Sequence, residues 1–193
     1  DQIAMVNPRN RDPRPAEPGN SKPTRKHMAQ AKFSPFKKVM FTDVTFYYPK
    51  LDQPYRFNNA EKRSEPCPAS ATNAGYSLAW RMPYTEAKAI FAELKAHYET
   101  AMEHDKKLPK FSRVFGLKKL DEDGNEVTGT GAALAHFTAK KRAMNNDGRE
   151  NKAPIVVGED LQPLEDKAIW TGSEGSVRVL AFPTVDPDGV GGI

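Results

Sequence analysis

The chain of 193 residues is 38% hydrophobic and 28% charged, enough for one well-filled domain with an extension, or for two small ones. None of its uncharged apolar runs approaches the roughly 20 residues that a membrane-spanning helix needs, and the charged, proline-bearing stretch from Asp1 to Asn20 lacks the apolar segment of about 7 to 15 residues that a secretory signal carries. The single cysteine, Cys67, has no intramolecular disulfide partner, and His27, His97, His104 and His136 lie at no metal-ligand spacing from it, so the composition points to an intracellular chain without metal or cofactor.

The net charge of +4 is unevenly placed. Residues 1–38 hold nine basic groups against three acidic ones, a sum of +6, which leaves −2 on residues 39–193. Pro8, Pro13, Pro15, Pro18 and Pro23 are spaced too closely for helix or central strand, and the stretch has too little apolar area to order itself. It reads as a basic arm, either a tether that neutralises phosphates and releases their counterions or a solubilising tail. Residues 39–193 read as one folded domain.

In the body, Val39 to Tyr48 alternates as a strand, with Met40, Val44, Phe46 and Tyr48 on one side and Phe41, Asp43, Thr45 and Tyr47 on the other. Pro49 is expected to stop it. Leu51 to Asn73 is polar, contains Pro54, Pro66 and Pro68 and mixes Arg56, Lys62 and Arg63 with Tyr55 and Phe57, the composition of a long flap over a flexible ligand. Gly75 to Met82 alternates cleanly, so that Tyr76, Leu78, Trp80 and Met82 are buried while Arg81 faces outward; core is the favoured place for Trp80 over a base-stacking one. Thr85 is placed to cap a helix running to about His104, with Ala87, Ile90, Phe91, Leu94, Tyr98, Ala101 and Met102 forming its core-facing stripe. His97 and His104, seven apart, share a face of that helix.

A basic connection with Lys106, Lys107, Lys110 and Arg113 follows, and Asp121 to Glu126 has the composition of a tight turn without calcium-loop spacing. Gly129-Thr130-Gly131 lacks the third glycine of a dinucleotide loop and the lysine of a P-loop. Ala132 to Arg142 is a strand running into Lys140, Lys141 and Arg142, the Asn146-Asp147-Gly148 turn leads back, and Pro154 to Val157 is the expected return strand. Gly175 to Phe182 is a further strand, with Val177, Val179 and Ala181 opposed by Arg178, Leu180 and Phe182, and Val190 to Ile193 has the look of another strand beginning. Five or six short strands with one long helix between the second and third predict a mainly β domain, a small partly open barrel of the OB-fold kind.

This order of elements resembles the replication single-stranded DNA-binding proteins of short-tailed, podovirus-type tailed phages. GYSLAWRMP, TEAKAIFAELKAHYETAMEH, ALAHFTAKKR, APIVVGEDLQPLED and SVRVLAFP carry the resemblance over residues 39–193. It implies a non-enzymatic OB-fold protein in the cytoplasm of an infected bacterial host. Such a protein coats single-stranded DNA without sequence preference in replication and recombination and promotes annealing. It also implies contacts with the phage DNA polymerase and helicase-primase, and leaves room for a homodimer. The acidic tail ending in an aromatic residue through which such proteins meet the replisome is not present in this sequence.

The cations assigned to DNA by position are Arg81, Lys140, Lys141, Arg142 and Arg178, with Lys107, Lys110, Arg113 and Arg56 beside them. Stacking falls to Tyr47, Tyr55, Phe57 or Phe137, each of which also fits a core or loop-anchoring role. Two rivals stand beside this reading. One is a protein-binding adaptor on a β-barrel scaffold; the other is a nuclease, which would need clustered carboxylates that Asp121 to Asp123, Glu159, Asp160, Glu165 and Asp166 do not supply by their spacing.

Overall fold

The computed structural model describes residues 33–164 and 169–193. The basic arm lies outside them up to Lys32, as do Glu165 and Asp166. The fold is mainly β, with a six-stranded sheet, a three-stranded sheet and one long helix. The large sheet is open and does not close into the barrel the strand count predicted.

The first strand, β1 (Lys37–Asn58), organises the whole. On one edge it pairs with β3 (Gly75–Pro83), and on the other it pairs first with β7 (Glu174–Ala181) and then with β2 (Arg63–Pro66). Beyond β3 the sheet continues through β6 (Leu134–Arg142) to β5 (Leu117–Leu120). All of these pairings are antiparallel.

Pro49 does not end β1. The register with β3 shifts between Tyr47 and Lys50, and Tyr48 has φ 49°, so the proline sits in a bulge where a missing N–H breaks no ladder bond. A second bulge, between Phe41 and Val44 with Asp43 at φ 53°, inverts the alternation. Val39 and Phe41 are therefore buried before it and Val44 and Phe46 after it, while Met40 and Tyr48 are exposed; strict alternation had put Met40, Val44, Phe46 and Tyr48 together on one side and Phe41 on the other. The expected flap is in part a hairpin. β1 runs on to Asn58 and returns as β2, with Asn58 Oδ1 accepting from the N–H groups of Ala60 and Glu61 at the turn.

The strand β3 buries Tyr76, Leu78, Trp80 and Met82, as its period requires. It passes directly into α1 (Tyr84–His104), whose capping position is Pro83 rather than Thr85. No side chain caps this end; the Tyr84 N–H donates to the Ala133 carbonyl, 2.8 Å away. Ala87, Leu94, Tyr98 and Ala101 are the helix's buried residues, facing β3 and β6. Between sheet and helix, Phe41, Trp80 and Phe137 pack with ring centroids 4.8 to 5.7 Å apart. Burial of each such side chain contributes roughly 1.5–3 kcal/mol.

Beyond the helix, β4 (Phe111–Arg113), β8 (Thr184–Val185) and β9 (Gly191–Gly192) form the small sheet. The strand anticipated near the last residues is thus β9, which lies parallel to β4 and antiparallel to β8. A Cβ on Gly191 would strike the Tyr98 hydroxyl, and one on Gly192 the Arg113 carbonyl and the Phe115 ring. Pro154 to Val157 is not a strand. It carries only a single bridge, Val157 to Pro163; Val156 is partly buried against the core while Ile155, 82% exposed, and Val157 face outward.

Candidate nucleic-acid interface

The face of the large sheet turned away from the core is built by the register of four strands. One row across it reads Thr45, Arg81, His136, Lys118, and another reads Lys50, Ser77, Lys140. Adjacent strands lie about 4.8 Å apart, so the first row spans roughly 14 Å. Between the two rows stands Tyr47.

The Arg81 guanidinium lies 4.1 Å from the centre of the Tyr47 ring, a cation–π contact, and its Nε donates to His136 Nδ1 at 3.3 Å. Accepting at Nδ1 leaves the neutral imidazole's proton on Nε2. Burial, then the charges of Arg81 and Lys118, hold the His136 pKa below its ordinary value. Lys50 is similarly lowered, by burial and then by Lys140. Arg81, Lys50 and Lys140 make no ion pair with a carboxylate among the described residues. Lys118 does, with Glu126 at 2.7 Å. Like charges are gathered here at a cost that an arriving polyanion would relieve.

Two exposed aromatic residues that sequence reasoning passed over border this face. Residues 170–173 dock on β1. The Phe46 N–H donates to Ser173 O, the Gly172 N–H to Phe46 O, and the Tyr48 N–H to Thr171 Oγ1 at 3.0 Å. This brings Trp170, 68% exposed, to the stretch of β1 that carries Tyr48, 63% exposed, and the Tyr47 and Tyr48 ring centroids are 6.1 Å apart. Trp170 sits in a polar stretch with no apolar periodicity, the one signal that could have marked it as a surface aromatic.

Of the residues predicted from the sequence, Tyr47, Arg81 and Lys140 come together on this face. Arg142 lies farther along the same side of β6, in a row with Gly75 and Tyr55, and donates to Asn146. Lys141, paired with buried Tyr76, alternates to the other side of β6. Phe137 is a correction: only 4% exposed, it stacks on Trp80 in the core and offers no free face to a base. Its two-residue offset from Ala139 and Ala135 puts it on the buried side of β6, whereas the cations three to five positions later emerge as the strand leaves the core.

The others disperse. Arg56 is held by Glu65 at 2.9 Å on the hairpin, where Phe57 is exposed. Lys107 and Lys110 lie in the connection between α1 and β4, outside the four strands of this face. Arg113 is engaged by Asp186 at 2.7 Å and lies over the Phe115 ring. Arg178 lies on β7 opposite Met40. His97 and His104 do share a helix face, and both stack on Phe33, at 5.4 and 4.6 Å. Phe33 is the first described residue, so the described chain begins against the C-terminal half of α1.

A separate cavity of about 300 Å³ lies between α1 and β5, where Lys88 and Lys119 each stand 5.4 Å from the Tyr84 ring. Among the described residues no group of three or more His, Cys, Asp or Glu could hold a metal ion, and no helix is long and apolar enough to cross a membrane. No family model, curated protein or solved structure matches the chain.

Proposed function

We propose that this domain is a sequence-independent single-stranded DNA-binding module on an OB-type scaffold, which coats exposed strands during phage DNA replication and recombination and assists their annealing. The observation that carries the proposal is the core-averted face of β1, β3, β6 and β5. There Arg81 and His136 meet the Tyr47 ring, and Lys50 and Lys140 form the neighbouring row on the same face, with no carboxylate paired to Arg81, Lys50 or Lys140 among the described residues.

Phosphates meet the cations, and unpaired bases stack on Tyr47, Tyr48 and Trp170. Such stacking tolerates any base, because every base has a π-face, and each stack contributes about 1–3 kcal/mol. Duplex DNA keeps its base faces closed to a flat sheet and meets only the charge. No nucleophile, metal or cofactor enters the process.

Intrinsic fluorescence tests the proposal directly, because Trp80 is 2% exposed and Trp170 is 68% exposed. Oligo-dT added at low ionic strength is expected to quench the Trp170 component while leaving Trp80 unchanged, and Trp170→Phe should remove the response. An emission spectrum indifferent to oligo-dT, together with no mobility shift of the oligonucleotide, would count against binding.

A further inference from the structure

The half of β1 that pairs with β7 carries exposed side chains that the Arg81 face does not use. Before the bulge at Asp43, alternation sends Lys38 and Met40 away from the core, and their partners across the ladder are Leu180 and Arg178. Just beyond the end of the ladder at Lys37 and Ala181 stand Phe36 and Phe182, whose ring centroids are 5.9 Å apart in an edge-to-face arrangement. Phe36 is 54% exposed and Phe182 50%, and Met40 and Leu180 are about as open. Lys38 and Arg178 make no ion pair or hydrogen bond among the described residues. Two free cations therefore flank two exposed rings and two apolar side chains, on the same core-averted side of the same strand that carries Tyr47.

An apolar patch that served only to associate with another apolar surface would gain from losing those charges. A patch of exposed rings interleaved with unpaired cations instead matches a strand whose bases alternate with phosphates. The nearest acid on this side of β7 is Glu174, four residues from Arg178 and at the end of the strand away from Phe182. A bulge between Phe41 and Val44 separates the two halves of β1 and bends the strand there, which a single strand follows and a rigid duplex does not.

We propose that Phe36, Phe182, Lys38 and Arg178 form a second stacking subsite for the same single-stranded DNA, so that the strand runs along β1 from the Tyr47–Arg81 cluster to the Phe36–Phe182 pair. The inference rests on the single-strand reading above and extends it to the length of strand engaged. From Lys38 to Tyr47 is nine positions along β1, roughly 30 Å of strand at most, so only an oligonucleotide of sufficient length reaches both subsites.

The test is a length series of oligo-dT, from about 4 to 24 nucleotides, titrated by fluorescence anisotropy against the native chain, against Phe36→Ala with Phe182→Ala, and against Lys38→Ser with Arg178→Ser. Native affinity should climb in two stages as the oligonucleotide lengthens. Both double variants should match it within about twofold on the shortest oligomers and lose the second stage; on the long ones the alanine pair should fall about 5- to 150-fold behind for each stack removed, and the serine pair about 10- to 150-fold for each phosphate contact removed. The serine pair leaves every ring in place, so a defect in folding cannot mimic the result. Equal losses at all lengths, or no loss at any, would overturn the subsite while leaving the Tyr47–Arg81 face standing. So would a change in sedimentation of the DNA-free protein with DNA affinity unchanged, which would make the patch a contact between copies of the chain. No binding of any oligomer by the native chain would instead remove the single-strand reading itself.

Discussion

Replacing Arg81 by glutamine separates the electrostatic role of the sheet face from its structural one. Among the described residues Arg81 makes a ring contact to Tyr47 at 4.1 Å and a hydrogen bond to His136 at 3.3 Å. The first is worth about 0.5–1 kcal/mol at a partly open site, and the second, made by a charged donor at long distance, sits at the low end of about 1.5–3 kcal/mol. Glutamine keeps a donor and much of the aliphatic stem, so stability should fall by only about 1 kcal/mol. Binding should fall far more. A guanidinium on a phosphate, with no carboxylate competing for it, contributes about 1.5–3 kcal/mol, or roughly 10- to 150-fold in affinity at low salt. Removing one neutralised phosphate should also make the slope of log K against log salt concentration shallower by about 0.7. Anisotropy titrations of oligo-dT at four or five salt concentrations measure both quantities. An Arg81→Gln chain that binds more weakly but keeps the native slope would refute the assignment of Arg81 to a phosphate, and would make it a support for Tyr47 alone.

Phe137→Ala opens a cavity under Trp80 and Phe41 and should cost about 3–5 kcal/mol in chemical denaturation, while the chain that remains folded keeps the native salt slope. His136 supplies a pH signature. Its pKa lies below the ordinary histidine value, so protonation opposes folding, and the stability of the DNA-free protein should decline as pH falls below that ordinary value. A phosphate beside the imidazole favours the charged form, so oligo-dT affinity should rise over the same interval, by at most tenfold per pH unit for one proton; His136→Gln should flatten the rise. Asp186 accepts from the Val190 and Asp188 N–H groups and from Arg113, which together hold its pKa below the usual carboxylate range, the Val190 bond foremost. The stabilisation is present above that range and is lost as pH falls through the lowered value, so Asp186→Asn should weaken the native chain's acid-dependent loss of the small sheet, read by hydrogen exchange at Gly191 and Gly192.

What could be read from the sequence was whatever a local period encodes. Tyr76, Leu78, Trp80 and Met82 alternate without interruption and emerge buried, and the stripe of α1 follows the spacing of Ala87, Leu94, Tyr98 and Ala101. The reading failed where one residue out of phase resets the pattern. The bulges at Asp43 and Tyr48, both at positive φ, reversed the faces of β1 and carried it past Pro49. Neither residue is a glycine, so no composition cue marked them. The hairpin of β1 and β2 was hidden because its residues are polar on both sides, as suits a strand near a sheet edge.

The candidate site was legible only one strand at a time. Arg81 and Lys140 could be placed on outward faces, but their meeting depends on a register in which Ser77 faces both Lys50 and Lys140. Lys50 and His136 gained their part from neighbours 90 and 55 positions away along the chain, Lys140 and Arg81. Phe137 shows the converse. An aromatic residue just before three cations has the composition of a binding strand, and only the depth of the core beneath β6 decides that its ring belongs to Trp80.

The most direct measurement of the central claim is a competition. A fluorescent dT oligomer bound to the chain at low ionic strength is displaced either by unlabelled single strands of mixed sequence or by a duplex of the same length. The Tyr47–Arg81 sheet face predicts that single strands of any sequence displace the label at concentrations near their own length-matched dT, and that duplex requires at least tenfold more. Equal displacement by duplex, or a labelled strand that never binds at micromolar protein, would contradict it.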